Sequence, residues 1–478
     1  MLSVLVGHSY FLRFDRKQQQ RAKPYPPLAT LQAASLLREA GHSVALFDAM
    51  LATGVAEYET ALAARPQLVV LYEDNFNFLS KMCLERMRRA CCEMIALARR
   101  HGARVIVGGS DASDAPEKYL EAGADAVLRG EGFAALLALA GRLDGDPGLR
   151  VPQWTSGLPD VVTWVDGAPA RCVPAAPLPV PELPRRPAWD LVDIERYRTV
   201  WREAHGYFSL NMAASRGCSF RCNWCAKPIW GNRYLQRKAA DVADEMLHLK
   251  RELGADHVWF ADDIFGFRVD WVSDFAARLR AGGGGVPFTI QLRADLVSAR
   301  MARALREAGC REVWIGAESG SQRILDAMNK GTRVQDIVAA RSLLGAEGMR
   351  VGFFLQLGYL GEELEDILAT RELVERTRPD DVGVSVTYPL PGTKFYERVK
   401  DQLGPKRNWQ ESNDLEMLFQ GTYRSEFYRL VRDLLHEQAE RGPSPQLARR
   451  WRDLIEREGQ YRHSAEPAAE PLPAHPLA

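Results

Sequence analysis

Apolar and polar positions along this chain alternate between two rhythms. Over the first 150 residues, short runs rich in Val, Leu and Ile ("LSVLV", "SVALFD", "LVVLY", "RVIVGG", "DAVLRGEG") take turns with longer stretches such as "LATLQAASLLREAG" and "LERMRRACCEMIALARRHG". The first rhythm suits strands and the second amphipathic helices. Gly41, Gly102 and Gly123 stand where helices end and a left-handed residue is wanted. Strand and helix in strict turn predict an open parallel sheet with helices on both faces, which binds ligands at the carboxyl ends of its strands. The loops expected there are the one after "LSVLV", the triplet Glu73, Asp74 and Asn75, residues 108–113 ("GGSDAS") and residues 129–132 ("RGEG").

The pattern then breaks and resumes. Six prolines fall within residues 174–187, a stretch that suits neither a helix nor a central strand and is read as a stiff, extended linker. A second alternation starts near Tyr207 with "YFSLNMAAS". It continues through helix "ADVADEMLHLKRELG", where Val242, Met246, Leu249 and Leu253 recur at helical spacing, and through "HVWF", "FTIQLR", "EVWIGAE", "VGFFLQLG" and "VGVSVTYPLPG". About six βα units predict a complete or open parallel barrel with its chemistry at the carboxyl ends. The expected fold class is therefore α/β, with a first sheet domain over 1–150, a Pro-rich linker over 151–205, a barrel over 206–403, a helical region over 404–463 and a disordered tail over 464–478.

Composition narrows the partners. Lys plus Arg and Asp plus Glu number 62 each in 478 residues, so no net field favours nucleic acid or an acidic membrane surface. The amino-terminal apolar run is too short for a signal peptide, and no stretch is long and apolar enough to span a bilayer, which makes the cytoplasm the expected location. In that reducing compartment the eight cysteines are not expected to form a disulfide framework. Cys83, Cys91, Cys92, Cys172 and Cys310 are scattered, and are read as small apolar residues without a chemical role.

The remaining three, Cys218, Cys222 and Cys225, fall in "CSFRCNWCAKP". A structural zinc site is closed by four ligands, commonly as two pairs, and no second pair or histidine is near. Three free thiols bordered by Arg216, Arg221 and Lys227 would be reactive liabilities. A four-iron cluster on three thiolates leaves one iron open to a non-protein ligand, which is the arrangement of a catalytic site.

A C-x3-C-x2-C loop with Trp224 before its last cysteine, placed after the first barrel strand, resembles the signature of the radical S-adenosylmethionine (SAM) enzymes. The resemblance implies a 4Fe-4S cluster on the three cysteines, with SAM as the missing fourth ligand, cleaved by one electron to a radical that takes hydrogen from the substrate. It also implies roles in holding SAM for Asp262 and Asp263, Gln291 and Arg293, and Glu318. Asp262 and Asp263 read equally well as a helix N-cap pair. Gln356, Gly358 and Tyr388 are candidates to line a pocket or to pack.

The domain order extends the resemblance to the cobalamin-binding branch of radical SAM proteins over residues 1–400, and within it to the anaerobic magnesium-protoporphyrin monomethyl ester cyclases through "GVSVTYPLPGTKFYE". Cobalamin is then expected against Asp74, Asn75, Gly108, Gly109, Ser110, Gly130, Glu131 and Gly132. Two departures stand out. No D-x-H-x-x-G motif is present, and His8 is read as an ordinary loop residue; Phe133 replaces the acid of "GEGE".

The expected activity is radical methylation of an unactivated carbon on a small-molecule substrate, with an electron donor such as flavodoxin or ferredoxin and no nucleic acid or membrane span. Oxidative cyclisation or rearrangement of a tetrapyrrole-like substrate, a radical SAM enzyme without cobalamin, and a non-catalytic iron-sulfur or zinc module are the alternatives.

Overall fold

The computed structural model describes residues 1–74, 76, 84–165, 167–171, 186–225, 233–404, 409–410 and 415–463. Asn75, Cys83, Cys172, Lys227, nearly all of the proline stretch and the expected tail lie outside the described residues.

Strands β1 (Ser3–Gly7), β2 (Ser43–Phe47), β3 (Leu68–Tyr72), β4 (Arg104–Gly108) and β5 (Ala126–Leu128) pair in parallel in the order β2-β1-β3-β4-β5. The chain reverses direction across the sheet between β1 and β3, the point at which such sheets take ligands. Period-two alternation sorts the side chains. Val4, Val6 and Val70 pack with helices Leu28–Glu39 and Phe133–Gly145 on one face, and Leu5, Val69 and Leu71 with Val55–Leu62 and Glu85–Arg100 on the other. Each fully buried aliphatic side chain contributes about 1.5–3 kcal/mol to holding the layers together.

The segment read as linker carries regular structure. Strands β6 (Val161–Val165) and β7 (Ala168–Arg171) extend the first sheet as an antiparallel hairpin on β5. Helix Ile194–His205 buries Tyr197 and Trp201; Trp201 Nε1 donates to the Pro24 carbonyl at 2.6 Å and the Tyr197 hydroxyl to Asp48 at 2.6 Å. Its aromatic stripe gave it a surface to bury, which an extended linker lacks.

The second sheet has six strands, all parallel and in chain order: β8 (Ser209–Met212), β11 (His257–Phe260), β12 (Phe288–Leu292), β13 (Cys310–Glu318), β14 (Arg350–Leu357) and β15 (Asp381–Val386). Strands β9 (Ser215–Gly217) and β10 (Tyr234–Gln236) form a small antiparallel pair beside the cysteine loop. Val258, Phe260, Phe288, Ile290, Val313 and Ile315 pack into the core under helices that include Ala239–Arg251 and Val269–Ala281. Their alternate neighbours face the concave side of an open half-barrel, the expected architecture.

At the amino ends of the strands a polar chain crosses this concave face. Ser209 Oγ meets His257 Nδ1 at 2.9 Å, His257 Nε2 meets Thr289 Oγ1 at 3.1 Å, and Thr289 donates to Glu312 at 3.2 Å. Burial, and then the charge of Lys23, push His257 down to about 4, so its ring is neutral and carries one proton. Because Thr289 donates onward, that proton sits on Nε2 and Nδ1 accepts from Ser209. Among the described residues no helix is long and apolar enough to cross a membrane.

Candidate active site

The cysteine loop leaves β9 at the carboxyl end of the half-barrel. Cys218 is buried at its base, while Cys222 and Cys225 are half-buried; none is in a disulfide. Asn223 anchors the loop between them. Its backbone N–H donates to the Met328 carbonyl at 3.0 Å, its side-chain Nδ2 to the Ala327 carbonyl at 2.7 Å, and its own carbonyl accepts from Phe395 N–H at 3.0 Å. Trp224 packs with Ile324, Met328, Tyr359 and Phe395, and its Nε1 is buried without an acceptor. Sequence reasoning passed over Asn223; an amide beside the last two cysteines was the available signal.

Two cations close on Cys222. Arg293, at the end of β12, donates from Nη1 to Cys222 Sγ at 3.7 Å, lies 3.7 Å over the Phe220 ring, and is held by both oxygens of Asp295 at 2.9 and 3.0 Å and by the Lys330 carbonyl at 2.7 Å. Its guanidinium thus braces the loop. Lys330 Nζ donates to Glu318 at 2.7 Å in a pair only 7% exposed on either side. Burial opposes the charge on Lys330, but Glu318 and Cys222 outweigh it and hold its pKa above the usual lysine range. Gly316 leaves the room for this pair, since a Cβ there would lie 2.7 Å from both Glu318 Oε1 and Lys330 Nζ. Glu318 itself has φ 59° at a register shift in β13, a strained conformation for a side-chain-bearing residue.

Asp262 caps no helix. Its carboxylate accepts the Ala214 N–H at 3.0 Å and the Ser215 hydroxyl, tying down the turn between β8 and β9, and burial raises its pKa to about 7. Asp263 and Gln291 are half-buried at the same rim. Gln356 is buried with Nε2 unpartnered. Gly358 is a packing residue: with φ 73°, a Cβ there would lie 2.8 Å from Met417 Sδ. Tyr388 meets Trp409 edge to face at 4.5 Å.

On the first sheet, Asp74 accepts Ala29 N–H at 3.1 Å and Phe76 N–H at 3.2 Å, so it holds the start of helix Leu28–Glu39, and burial raises its pKa. The glycines serve close packing within the domain. A Cβ on Gly108 would meet Tyr72 at 3.0 Å, on Gly109 Glu73 at 2.7 Å, and on Gly132 Leu128 at 2.7 Å. Gly130 N–H donates to Ser113 Oγ at 2.9 Å, while Ser110 opens the short helix Ser110–Asp114. Phe133, in place of an acid, stacks on Tyr72 at 5.0 Å.

His8 is not an ordinary loop residue. It is wholly buried, with Nε2 3.0 Å from Asp48 and Nδ1 accepting Tyr10 N–H at 3.3 Å; burial lowers its pKa, but Asp48, Glu73 and Asp74 prevail and raise it. Both ring nitrogens are committed inside the domain. Glu131 joins the two halves of the site: its carboxylate accepts from Arg216 on β9, two residues before Cys218, and its carbonyl from the Tyr72 hydroxyl. Carboxyl-end loops of the two sheets therefore meet at the cysteine loop.

Among the described residues, no three His, Cys, Asp or Glu side chains already stand close enough to hold a metal ion. The donor set nevertheless fits an anionic iron-sulfur cluster by its chemistry: three thiols on one loop, two flanking cations at Cys222, and an orphaned indole N–H beside Cys225.

Residues 212–374 match the model of the radical SAM superfamily. An uncharacterised methyltransferase of Pyrococcus horikoshii is 26% identical over 398 residues, covering 82% of each chain. The anaerobic magnesium-protoporphyrin IX monomethyl ester cyclase of Rubrivivax gelatinosus is 24% identical over 287 residues, which is 58% of this chain and 50% of the cyclase. Among solved structures, the radical SAM methyltransferase TsrM of Kitasatospora setae, with cobalamin and a [4Fe-4S] cluster bound, superposes with a TM-score of 0.68 at 20% identity, covering 84% of this chain and 78% of that one. The chain carries a radical SAM domain and is a radical SAM enzyme, in a superfamily that uses SAM and a 4Fe-4S cluster. Its overall architecture is that of TsrM.

Proposed function

We propose that this enzyme uses a 4Fe-4S cluster, SAM and cobalamin to methylate an unactivated carbon of a small molecule. The observation that carries the reading is the meeting of the two sheets' carboxyl ends at the cysteine loop, joined through Glu131 and Arg216. Cys218, Cys222 and Cys225 hold the cluster in this reading, which when bound supplies the electron that cleaves SAM, while cobalamin carries the methyl group. The chain's own residues do the rest. Asn223 and Arg293 fix the loop, the Glu318–Lys330 pair presents balanced charge at the rim, and Glu131 with Arg216 ties the first sheet to the cysteine loop. The cobalamin-bound TsrM fold and the methyltransferase relative support the assignment. With both nitrogens of His8 engaged, the cofactor receives no imidazole from that residue.

Reducing surroundings suit thiols that form no disulfide, so we place the enzyme in the cytoplasm with flavodoxin or ferredoxin as electron donor. Balanced charge favours a small molecule over nucleic acid. The cyclase relative supports a second reading, oxidative cyclisation by the same machinery.

The test is anaerobic reconstitution with iron, sulfide and hydroxocobalamin, followed by absorption spectroscopy and metal analysis. About four irons and about one cobalamin per chain are expected. A cluster that cleaves SAM without retaining cobalamin overturns methyl transfer and leaves a cobalamin-free radical SAM enzyme.

A further inference from the structure

Arg293 has more partners than bracing a loop requires. Its side chain is only 6% exposed. Nε donates to Asp295 Oδ1 at 2.9 Å, and Nη2 reaches Asp295 Oδ2 at 3.0 Å, the Lys330 carbonyl at 2.7 Å and Thr332 Oγ1 at 2.9 Å. Nη1 donates to Cys222 Sγ at 3.7 Å. A guanidinium has five N–H groups, so these bonds leave at most one Nη1 hydrogen for any further ligand. A planar fork can hold a carboxylate and a sulfur at once, which the single ammonium of a lysine cannot do in the same way.

The cation is therefore fixed against one sulfur of the loop with little water around it, where a charge acts more strongly than at an exposed surface. Lys330, the other cation near Cys222, spends its charge on Glu318. Asp295 offsets Arg293 from the opposite side of the balance, through both of its oxygens. Reduction of a four-iron cluster adds one electron to iron, sulfide and thiolates together, with no bond made or broken. An N–H donor to a ligand sulfur and a nearby positive charge favour the more negative, reduced form, and a nearby carboxylate favours the oxidised one.

We propose that Arg293 and Asp295 together set the reduction potential of the cluster on this loop, Arg293 raising it through the N–H bond to Cys222 and Asp295 holding it down by offsetting that charge. The inference rests on the cluster assignment in the functional reading above and adds to it the side chains that govern electron entry.

The full chain, reconstituted anaerobically and free of SAM, tests it in two ways. In the first, unaltered protein made with arginine that carries the heavy, spin-half nitrogen isotope in its guanidinium is reduced by dithionite, which supplies the one electron. Pulsed electron paramagnetic resonance of the reduced cluster should show coupling to the labelled nitrogen, and its absence overturns the bond to Cys222. In the second, redox titration follows the cluster in two variants. At a fixed potential the reduced-to-oxidised ratio should fall about tenfold in Arg293→Met and rise about tenfold in Asp295→Asn, shifts of about 59 mV down and up. Arg293→Lys keeps the charge and should lose less than Arg293→Met. Damage to the loop alone would move both variants the same way or neither, and either result overturns the proposal. Should Arg293→Met take up no iron, Asp295→Asn and the labelled unaltered chain still decide. Iron analysis separates the two readings. About four irons per chain without nitrogen coupling or opposed shifts overturn this inference alone, whereas an unaltered chain that assembles no cluster overturns the functional reading along with it.

Discussion

The Tyr359 hydroxyl, just past the end of β14, donates to Asn223 Oδ1 at 3.0 Å and lies 2.8 Å from the Ala327 carbonyl that Asn223 Nδ2 also reaches. The residue between two cysteines is thus held by a side chain 136 positions away. Asn223→Ala removes both side-chain bonds, and each buried group left unpaired costs about 1–3 kcal/mol. Iron bound after reconstitution should fall while the far-ultraviolet spectrum stays unchanged. Tyr359→Phe, which leaves Asn223 its bond to Ala327, should lose less iron.

Cys222 accepts from Arg293 and acts electrostatically on Lys330, and Cys310 sits buried in β13. Cys222→Ala should abolish cluster assembly and SAM cleavage together, whereas Cys310→Ala should retain both with some loss of stability. Full SAM cleavage by the Cys222 variant refutes its assignment as a ligand.

Glu318→Gln leaves Lys330 as a buried, unpaired cation, at a cost of about 3–5 kcal/mol. SAM affinity should fall, and thermal unfolding should shift down, with iron content intact. Glu318→Gln combined with Lys330→Met should recover the unfolding temperature but not the SAM affinity. Recovery of both would make the pair purely structural.

Burial raises Asp262 from the usual carboxylate range to about 7. The folded state therefore keeps this proton where the unfolded state has released it, and its contribution to stability falls as pH rises from about 4 to about 7. Asp262→Asn stays neutral throughout, so its unfolding temperature should decline less than that of the parent between those limits. Parallel declines measured by scanning calorimetry would remove Asp262 as the cause.

Glu131→Gln weakens the link to Arg216. Retention of hydroxocobalamin in equilibrium dialysis should fall about tenfold, the scale of one charge-assisted hydrogen bond, with iron content unchanged. Exchanging the two charges, Glu131→Arg with Arg216→Glu, should restore part of it.

Much of this molecule was legible in its residues. Short continuous apolar runs and helical repeats gave both parallel sheets, because a strand covered on both faces must be apolar throughout and its helices must bury one stripe. The cysteine spacing identified the loop by itself, since three nearby thiols without a fourth ligand leave few chemical uses. Residues 151–205 misled, because the prolines within them masked the short strands β6 and β7 and the aromatic stripe of Tyr197 and Trp201.

The sequence by itself determined element type, the parallel βα alternation of both sheets, and the donor set of the loop, all of which depend on neighbours in the chain. Only the tertiary structure decided partners. It gave Lys330 to Glu318, Arg293 to Cys222, Asn223 to Tyr359 and Arg216 to Glu131, and it turned Asp74 and the glycines of the first sheet toward packing. The physical reason is range. Backbone periodicity acts over a few residues, whereas a buried charge or amide must find its complement wherever the fold brings one near.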